Sequence, residues 1–259
     1  MKHLVLTMAA AALMCSQSAT AQNRVKNLYT ETQTLKVEQV MDCEQTTQLN
    51  RYFMAGYNTL CLPMSLSAEQ IEAAAKGLRV ERLEAIRQEG NTLCLYFVEC
   101  TNEGIEAGMP YIVFSPTAQY MRVRNTDAKA VSTELQTVRM TDNQGNQVSF
   151  SSSWNIRYKE GLFGIPAKQN VAVLESILIS TTADQSFLPT RCGFCWEEKS
   201  STASNLEIKH ASAAEVTAIR TVSTDSKTTS TDAYDLNGRR VSSSAKGIVI
   251  QNGRKVVVK

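Results

Sequence analysis

The chain has 259 residues, with 27 Lys and Arg set against 25 Asp and Glu and only two histidines. This near balance excludes the broad basic field that nucleic acid or an anionic membrane surface selects. The length suffices for one large β-domain, or two small ones, plus a tail, so a sizeable core is available.

Lys2 and His3 precede an apolar run from Leu4 to Met14, and small residues follow as far as Ala19-Thr20-Ala21. A charged start, a short apolar stretch and a small-residue end are the layout of a cleavable secretory signal, here residues 1–21, with Gln22 opening the mature chain. A membrane anchor needs roughly 20 apolar residues where this run has about 11, so no transmembrane segment is expected in the mature chain. Cys15 raises lipidation as an alternative, but Met14 is bulky where that processing wants a small residue.

From Gln22 to about Leu66 strand formers are broken by turns, and Thr34-Leu-Lys-Val-Glu-Gln-Val40 alternates apolar and polar residues as a half-buried strand does. Ser67 opens the one short helix expected. It caps residues 68–76, Gln70 completes a capping box, and Gly77 ends the turn. Residues 78–88 fit a helix through Leu83 and Ile86, but Gly90-Asn91 followed by residues 92–99 makes a hairpin the better reading. Both faces of 92–99 are apolar, which implies a central place in a covered sheet.

Residues 107–114 read as a turn delivering a strand, with Pro110 confined to its start or edge. Further strands are expected at 137–140, 148–150, 156–158, 171–174, 177–180, 192–197 and 206–210, punctuated by Gly145-Asn146 and Lys159-Glu160-Gly161. Many short strands with one minor helix argue for a mainly β fold, an antiparallel β-sandwich of jelly-roll-like type over residues 22–218.

Six cysteines remain beyond the signal: Cys43, Cys61, Cys94, Cys100, Cys192 and Cys195. An even count in an exported chain suggests disulfides, with the pairing open. Cys94 and Cys100 cannot pair with each other, because six residues of strand span roughly 20 Å. Arg191-Cys-Gly-Phe-Cys-Trp196 tempts a redox reading, which would need the first thiol at a helix N-terminus. The surrounding pattern is strand-like and sends Cys192 and Cys195 to opposite faces. Zinc lacks a second C-x-x-C, and beyond the signal the only histidine is His210, with no catalytic motif around it. No glycine loop cradles a phosphate. These observations imply no cofactor and no metal.

Residues 219–232 include the almost wholly polar stretch 221–232 and read as a Ser/Thr-rich linker. Asn237-Gly238 and Asn252-Gly253 then supply two hairpin turns within a small unit over 233–259. The tether, Tyr234-Asp-Leu-Asn-Gly-Arg-Arg-Val241, Lys246-Gly-Ile248 and the basic final strand resemble the C-terminal sorting domain of type IX secretion (Por) substrates. That resemblance implies the secretion machinery as a partner and a secreted or outer-membrane surface location. Val249 stands where an aromatic is common in that family, and the stretch is short. The segments 57–63, 106–113 and 186–194 resemble a recurring module of secreted surface proteins with the same tail, which implies β-sandwich adhesin or binding components.

The function expected from this is a non-enzymatic, adhesin-like protein of the cell surface that binds a glycan, a host protein or a neighbouring envelope component. Tyr52, Tyr57, Tyr120 and Trp154 are the candidate contact residues, as aromatics exposed on loops. The alternatives are a secreted polysaccharide hydrolase using two carboxylates, and an architectural envelope subunit.

Overall fold

The computed structural model describes residues 25–32, 34–42, 45–166, 178–224, 233–234, 240–241, 247–251 and 254–258. The signal-like segment 1–21, Cys43, the strand expected at 171–174 and both Asn-Gly dipeptides of the tail lie outside the described residues.

In chain order the first strands are β1 (Lys26–Tyr29), β2 (Thr47–Phe53), β3 (Gly56–Leu60), β4 (Met64–Ser65), β5 (Arg79–Glu89), β6 (Thr92–Glu99) and β7 (Tyr111–Ser115). There follow β8 (Gln119–Arg124), β9 (Ala130–Val131), β10 (Val138–Thr141), β11 (Gln147–Ser151), β12 (Arg157–Tyr158), β13 (Leu162–Gly164) and β14 (Ile179–Ser180). The last are β15 (Ser186–Phe187), β16 (Gly193–Glu198), β17 (Asn205–Ala211), β18 (Ala233–Tyr234), β19 (Arg240–Val241), β20 (Gly247–Gln251) and β21 (Arg254–Val258). The α-helices are α1 (Val37–Met41), α2 (Ala68–Ala74) and α3 (Ala213–Thr224).

The hairpin expected around Gly90-Asn91 forms the middle of the central sheet. Glu89 pairs with Thr92, and Gly90 takes φ +62°, a left-handed value that costs glycine nothing. β7 adds to the other side of β5, β3 adds to β7, and β17 joins β6, giving the order β17-β6-β5-β7-β3. A bulge between Leu83 and Ala85 shifts the β5 register by one residue.

Both faces of β6 are covered, as its apolar run implies. Leu93, Leu95 and Phe97 face a second five-stranded sheet, β10-β11-β16-β13-β14, while Cys94, Tyr96 and Val98 lie under Val216 and Ile219 of α3. Between the sheets the Phe97 ring meets Phe150 and Phe194 edge-on at 5.7 and 6.0 Å, and those two stack at 4.3 Å. The architecture is mainly β and sandwich-like.

A third sheet, β1-β2-β8, packs Leu49, Phe53, Met121 and Val123 against Val80 and Val113 of the central sheet. Val37 and Val40 of α1 and Ile71 of α2 close the same cluster. The four tail strands pair antiparallel in the order β19-β18-β20-β21, with Gln251 opposite Arg254.

Several expectations need correction. Residues 34–40 are not a strand, because Val37 and Val40 lie one helical turn apart and both are buried on α1. The short apolar alternation fits either period, and burial decides it. Beyond the capped helix at Ser67, which forms with both capping-box bonds, the described residues hold α1 and α3. α3 has its own capping box: Ser212 Oγ accepts from the Glu215 N–H, and the Glu215 carboxylate accepts from the Ser212 N–H at 2.7 Å. It runs through Thr224, into the stretch 219–232 expected as a linker. The pairings of β1 with β2 and of β17 with β6 are parallel in an otherwise antiparallel set. Among the described residues no helix is long and apolar enough to cross a membrane.

Candidate ligand-binding face

Alternation along β2 sends Leu49, Arg51 and Phe53 inward and Gln48, Asn50 and Tyr52 to the opposite face. β8 likewise turns Met121 and Val123 inward and Tyr120, Arg122 and Arg124 outward. The register places Tyr52 directly across from Tyr120, Asn50 across from Arg122 and Gln48 across from Arg124. Parallel β1 then lays Tyr29 beside Asn50 and Asn27 beside Gln48. The result is one sheet face carrying three tyrosines, three amides and two arginines, in which Asn50 is itself buried, its amide bonded to Asn27 Oδ1 and to the Leu28 and Gln48 carbonyls.

Tyr29 and Tyr120 remain 47% and 40% exposed, which is high for rings of this size on a sheet. The Tyr52 and Tyr120 rings meet at 5.0 Å with a 55° tilt, and the Arg122 guanidinium lies 5.6 Å from the Tyr120 centroid. Asn27 Oδ1 accepts from Gln48 Nε2 at 3.2 Å and from Asn50 Nδ2 at 3.3 Å, while Gln48 Nε2 also reaches Asn50 Oδ1 at 2.9 Å. These bonds fix the amides in place before any ligand arrives. Among the described residues no carboxylate lies within ion-pairing distance of Arg122 or Arg124. Beside β1 a cavity of about 400 Å³ is lined by Asn27, Tyr29, Lys26, Lys36 and Gln39 among others.

Of the four candidates from the sequence, the structure brings together only Tyr52 and Tyr120, and on strands rather than loops. Tyr57 is buried on β3, stacked on the His210 ring at 4.3 Å. Its hydroxyl accepts from Arg79 at 2.6 Å, and burial and then Glu81 hold it above the ordinary tyrosine value. Trp154 packs against both core clusters and donates Nε1–H to the Thr133 carbonyl at 2.8 Å. Both are structural. Tyr29, Asn27, Asn50 and Arg122 were not singled out by sequence reasoning, although the alternation in Gln119-Tyr-Met-Arg-Val-Arg124 marks a strand with an exposed polar face.

Of the carboxylates a hydrolytic pair could use, Glu81 and Glu99 stand opposite each other on β5 and β6, and Glu84 and Glu103 are both bound to Arg82. Glu81 is 3% exposed, with Oε1 taken by Arg79 Nε at 3.0 Å and Oε2 by His210 Nδ1 at 2.5 Å. This carboxylate is consumed in holding β17 and β5 together.

Cys61, Cys94, Cys100 and Cys192 are buried free thiols, and Cys195 is half-buried. Burial pushes Cys94 up to about 11 and Cys100 and Cys192 up to about 12, away from reactive thiolate. Cys192 belongs to the inter-sheet core, whereas Lys159 Nζ lies 3.8 Å from the Cys195 sulfur. Among the described residues no group of His, Cys, Asp and Glu could hold a metal ion. No protein-family model, curated protein or solved structure matches the chain.

Proposed function

We propose that this chain is an exported, non-enzymatic surface protein that binds a glycan on the outer face of β1-β2-β8. The observation that carries the reading is the Tyr52–Tyr120 pair, flanked by Tyr29 and Arg122, on a face whose amides are already tied to one another. A sugar ring has an apolar C–H side that suits an aromatic face and a rim of hydroxyls that suits amides and guanidinium. Arg122 and Arg124, without an ion pair among the described residues, and Lys26 and Lys36 at the adjoining cavity favour acidic polysaccharides over neutral ones.

Export rests on the signal-like residues 1–21 and on the sorting-like tail over 233–259, which makes the type IX secretion machinery the transport partner and the outer-membrane surface the location. The pairing of β18 to β21 is consistent with a tail built of hairpins. Hydrolysis has weaker support, because Glu81, the buried member of the pair with Glu99, has both oxygens engaged.

A glycan array probed with the purified full chain, alongside Tyr120→Ala and Tyr52→Ala, tests the binding reading. Binding to uronate- or sulfate-bearing glycans that falls at least tenfold in either variant, with unchanged circular dichroism, supports it. Absence of binding to every glycan, or equal binding by the variants, overturns it.

A further inference from the structure

The corner Leu188-Pro-Thr-Arg-Cys192 carries features that the glycan face does not use. Thr190 is the one non-glycine residue with positive φ among the described residues, at +66°, and it is fully buried with its hydroxyl unpartnered. Strain of this kind persists only where the surroundings over-determine it. Here the Thr190 carbonyl accepts from the Cys61 N–H at 2.8 Å, and the Cys192 N–H donates to Thr59 Oγ1 at 2.8 Å. The pinned turn sets the course of Arg191.

Three arginines converge on this corner. Arg51 is 1% exposed and donates to the Tyr52 carbonyl and, at 3.0 Å, to the Thr59 carbonyl, leaving Nε without a partner. Arg157 donates to Ser151 Oγ and O at 3.2 and 3.1 Å, and its Nε is also buried and unpartnered. The Arg191 guanidinium makes no hydrogen bond or ion pair to any described residue. Burial draws all three below the ordinary arginine value, and Arg191 adds to the effect on Arg51. Against three guanidiniums stands the single carboxylate of Glu31, 3.7 Å from Arg51, whose Oε2 is itself buried and unpartnered. Positive charge buried without counter-charge is costly unless something negative joins it.

Next to the corner a cavity of about 420 Å³ is lined by Arg191, Phe187, Leu188, Ile165, Ile179 and Thr181, among others. The Phe187 ring is seated against Gly164 and Gly193, where a Cβ would come within 2.5 and 3.1 Å of it, so that wall is preformed. Arg157 lies over the same ring, 5.5 Å from its centroid. We propose that this cavity binds a small organic anion, a carboxylate on an apolar body, with Arg191 as its charge partner and the Phe187 face as its apolar wall. The size suits a ligand of that kind, and the single cation in an apolar lining suits one carboxylate better than a sugar.

The test is isothermal calorimetry of the full chain with octanoate, octan-1-ol and inorganic phosphate, repeated on Arg191→Met, Arg191→Lys and Tyr120→Ala. Expected are saturable 1:1 binding of octanoate, a loss of at least tenfold in Arg191→Met with a smaller loss in Arg191→Lys, and no change in Tyr120→Ala. Octan-1-ol should bind more weakly and alike to wild type and Arg191→Met. Should Arg191→Met not fold, Arg191→Lys alone must weaken octanoate binding. Failure of octanoate to bind, equal binding by the Arg191 variants, or Arg191-dependent binding of phosphate without octanoate would each overturn the assignment. Tyr120→Ala separates this site from the glycan face, since only the latter loses its ligand there.

Discussion

Gly108 provides a sharp test of how the segment 106–113 is locked against Leu62 and residues 134–136. It has φ +77°, its N–H donates to the Leu62 carbonyl at 2.7 Å, and its own carbonyl accepts from the Gln136 N–H at 2.9 Å. A Cβ at Gly108 would stand 2.0 Å from the Glu134 carbonyl oxygen, so the backbone itself must move. Gly145 is the matched control, with φ +86° and nothing within 4 Å of an added Cβ. Alanine in a left-handed conformation costs roughly 1–2 kcal/mol wherever it occurs, and this is the whole cost expected for Gly145→Ala. Gly108→Ala adds the loss or weakening of two backbone bonds at about 1 kcal/mol each, for a total of roughly 3–4 kcal/mol. Urea unfolding, with midpoint and slope fitted separately, measures the difference between the two. Variants that agree within about 0.5 kcal/mol would refute the close packing of Gly108 against residues 134–136.

Phe97→Ala should cost about 3–5 kcal/mol, because it removes the ring that both Phe150 and Phe194 contact between the sheets. A loss under about 1.5 kcal/mol in the same assay would mean that the two sheets are not held there. In reduced protein at pH 8 a disulfide reagent should modify Cys195 well before Cys61, Cys94, Cys100 or Cys192, and mass mapping of early adducts reads the order. For the latter four the folded thiol holds its proton above the unfolded value near 8.5, so the unfolded state releases its protons first. The stability they contribute is present below about pH 8.5 and is lost as pH climbs toward folded values of about 11 for Cys94 and about 12 for Cys100 and Cys192. Denaturant midpoints that rise from pH 8.5 to pH 11 would contradict this sign.

The core is more readable from sequence than the surface, for a physical reason. A doubly covered strand such as β6 must be apolar on both faces, and a capping box such as Ser67 with Gln70 needs only local bonds, so both show in one dimension. The segment 34–40 reads equally as strand or helix because Leu35, Val37 and Val40 satisfy two periods at once, and only the neighbours that bury Val37 and Val40 choose between them. α3 carries a readable start at Ser212-Ala-Ala-Glu215, but its polar end merges with the Ser/Thr stretch that follows. For the candidate face, Tyr52 and Tyr120 can be named as aromatics, yet 68 residues separate them and nothing local announces the pairing of β2 with β8. Tyr57 and Trp154 look the same in sequence. Core contacts alone turn them inward.

The layering narrows where a large ligand can sit. The central sheet has one face against β10-β11-β16-β13-β14 and the other against α3 and the cluster under β2 and β8, so neither face is open. Of the two outer layers, the second sheet sets Arg139, Ser149, Cys195 and Leu162 side by side on the face away from the first, where Ser149 and Leu162 are already buried and no ring offers a stacking platform. The third sheet turns Tyr29, Tyr52, Tyr120, Arg122 and the bonded amides of Asn27 and Gln48 outward. Burying those tyrosines would have stabilised the fold through their apolar area, yet β2 gives its core positions to Arg51 and Phe53, the residues on either side of Tyr52. On the proposed reading a ligand covers these rings, and the strand parity that turns Tyr52 away from the core is the same parity that buries Arg51.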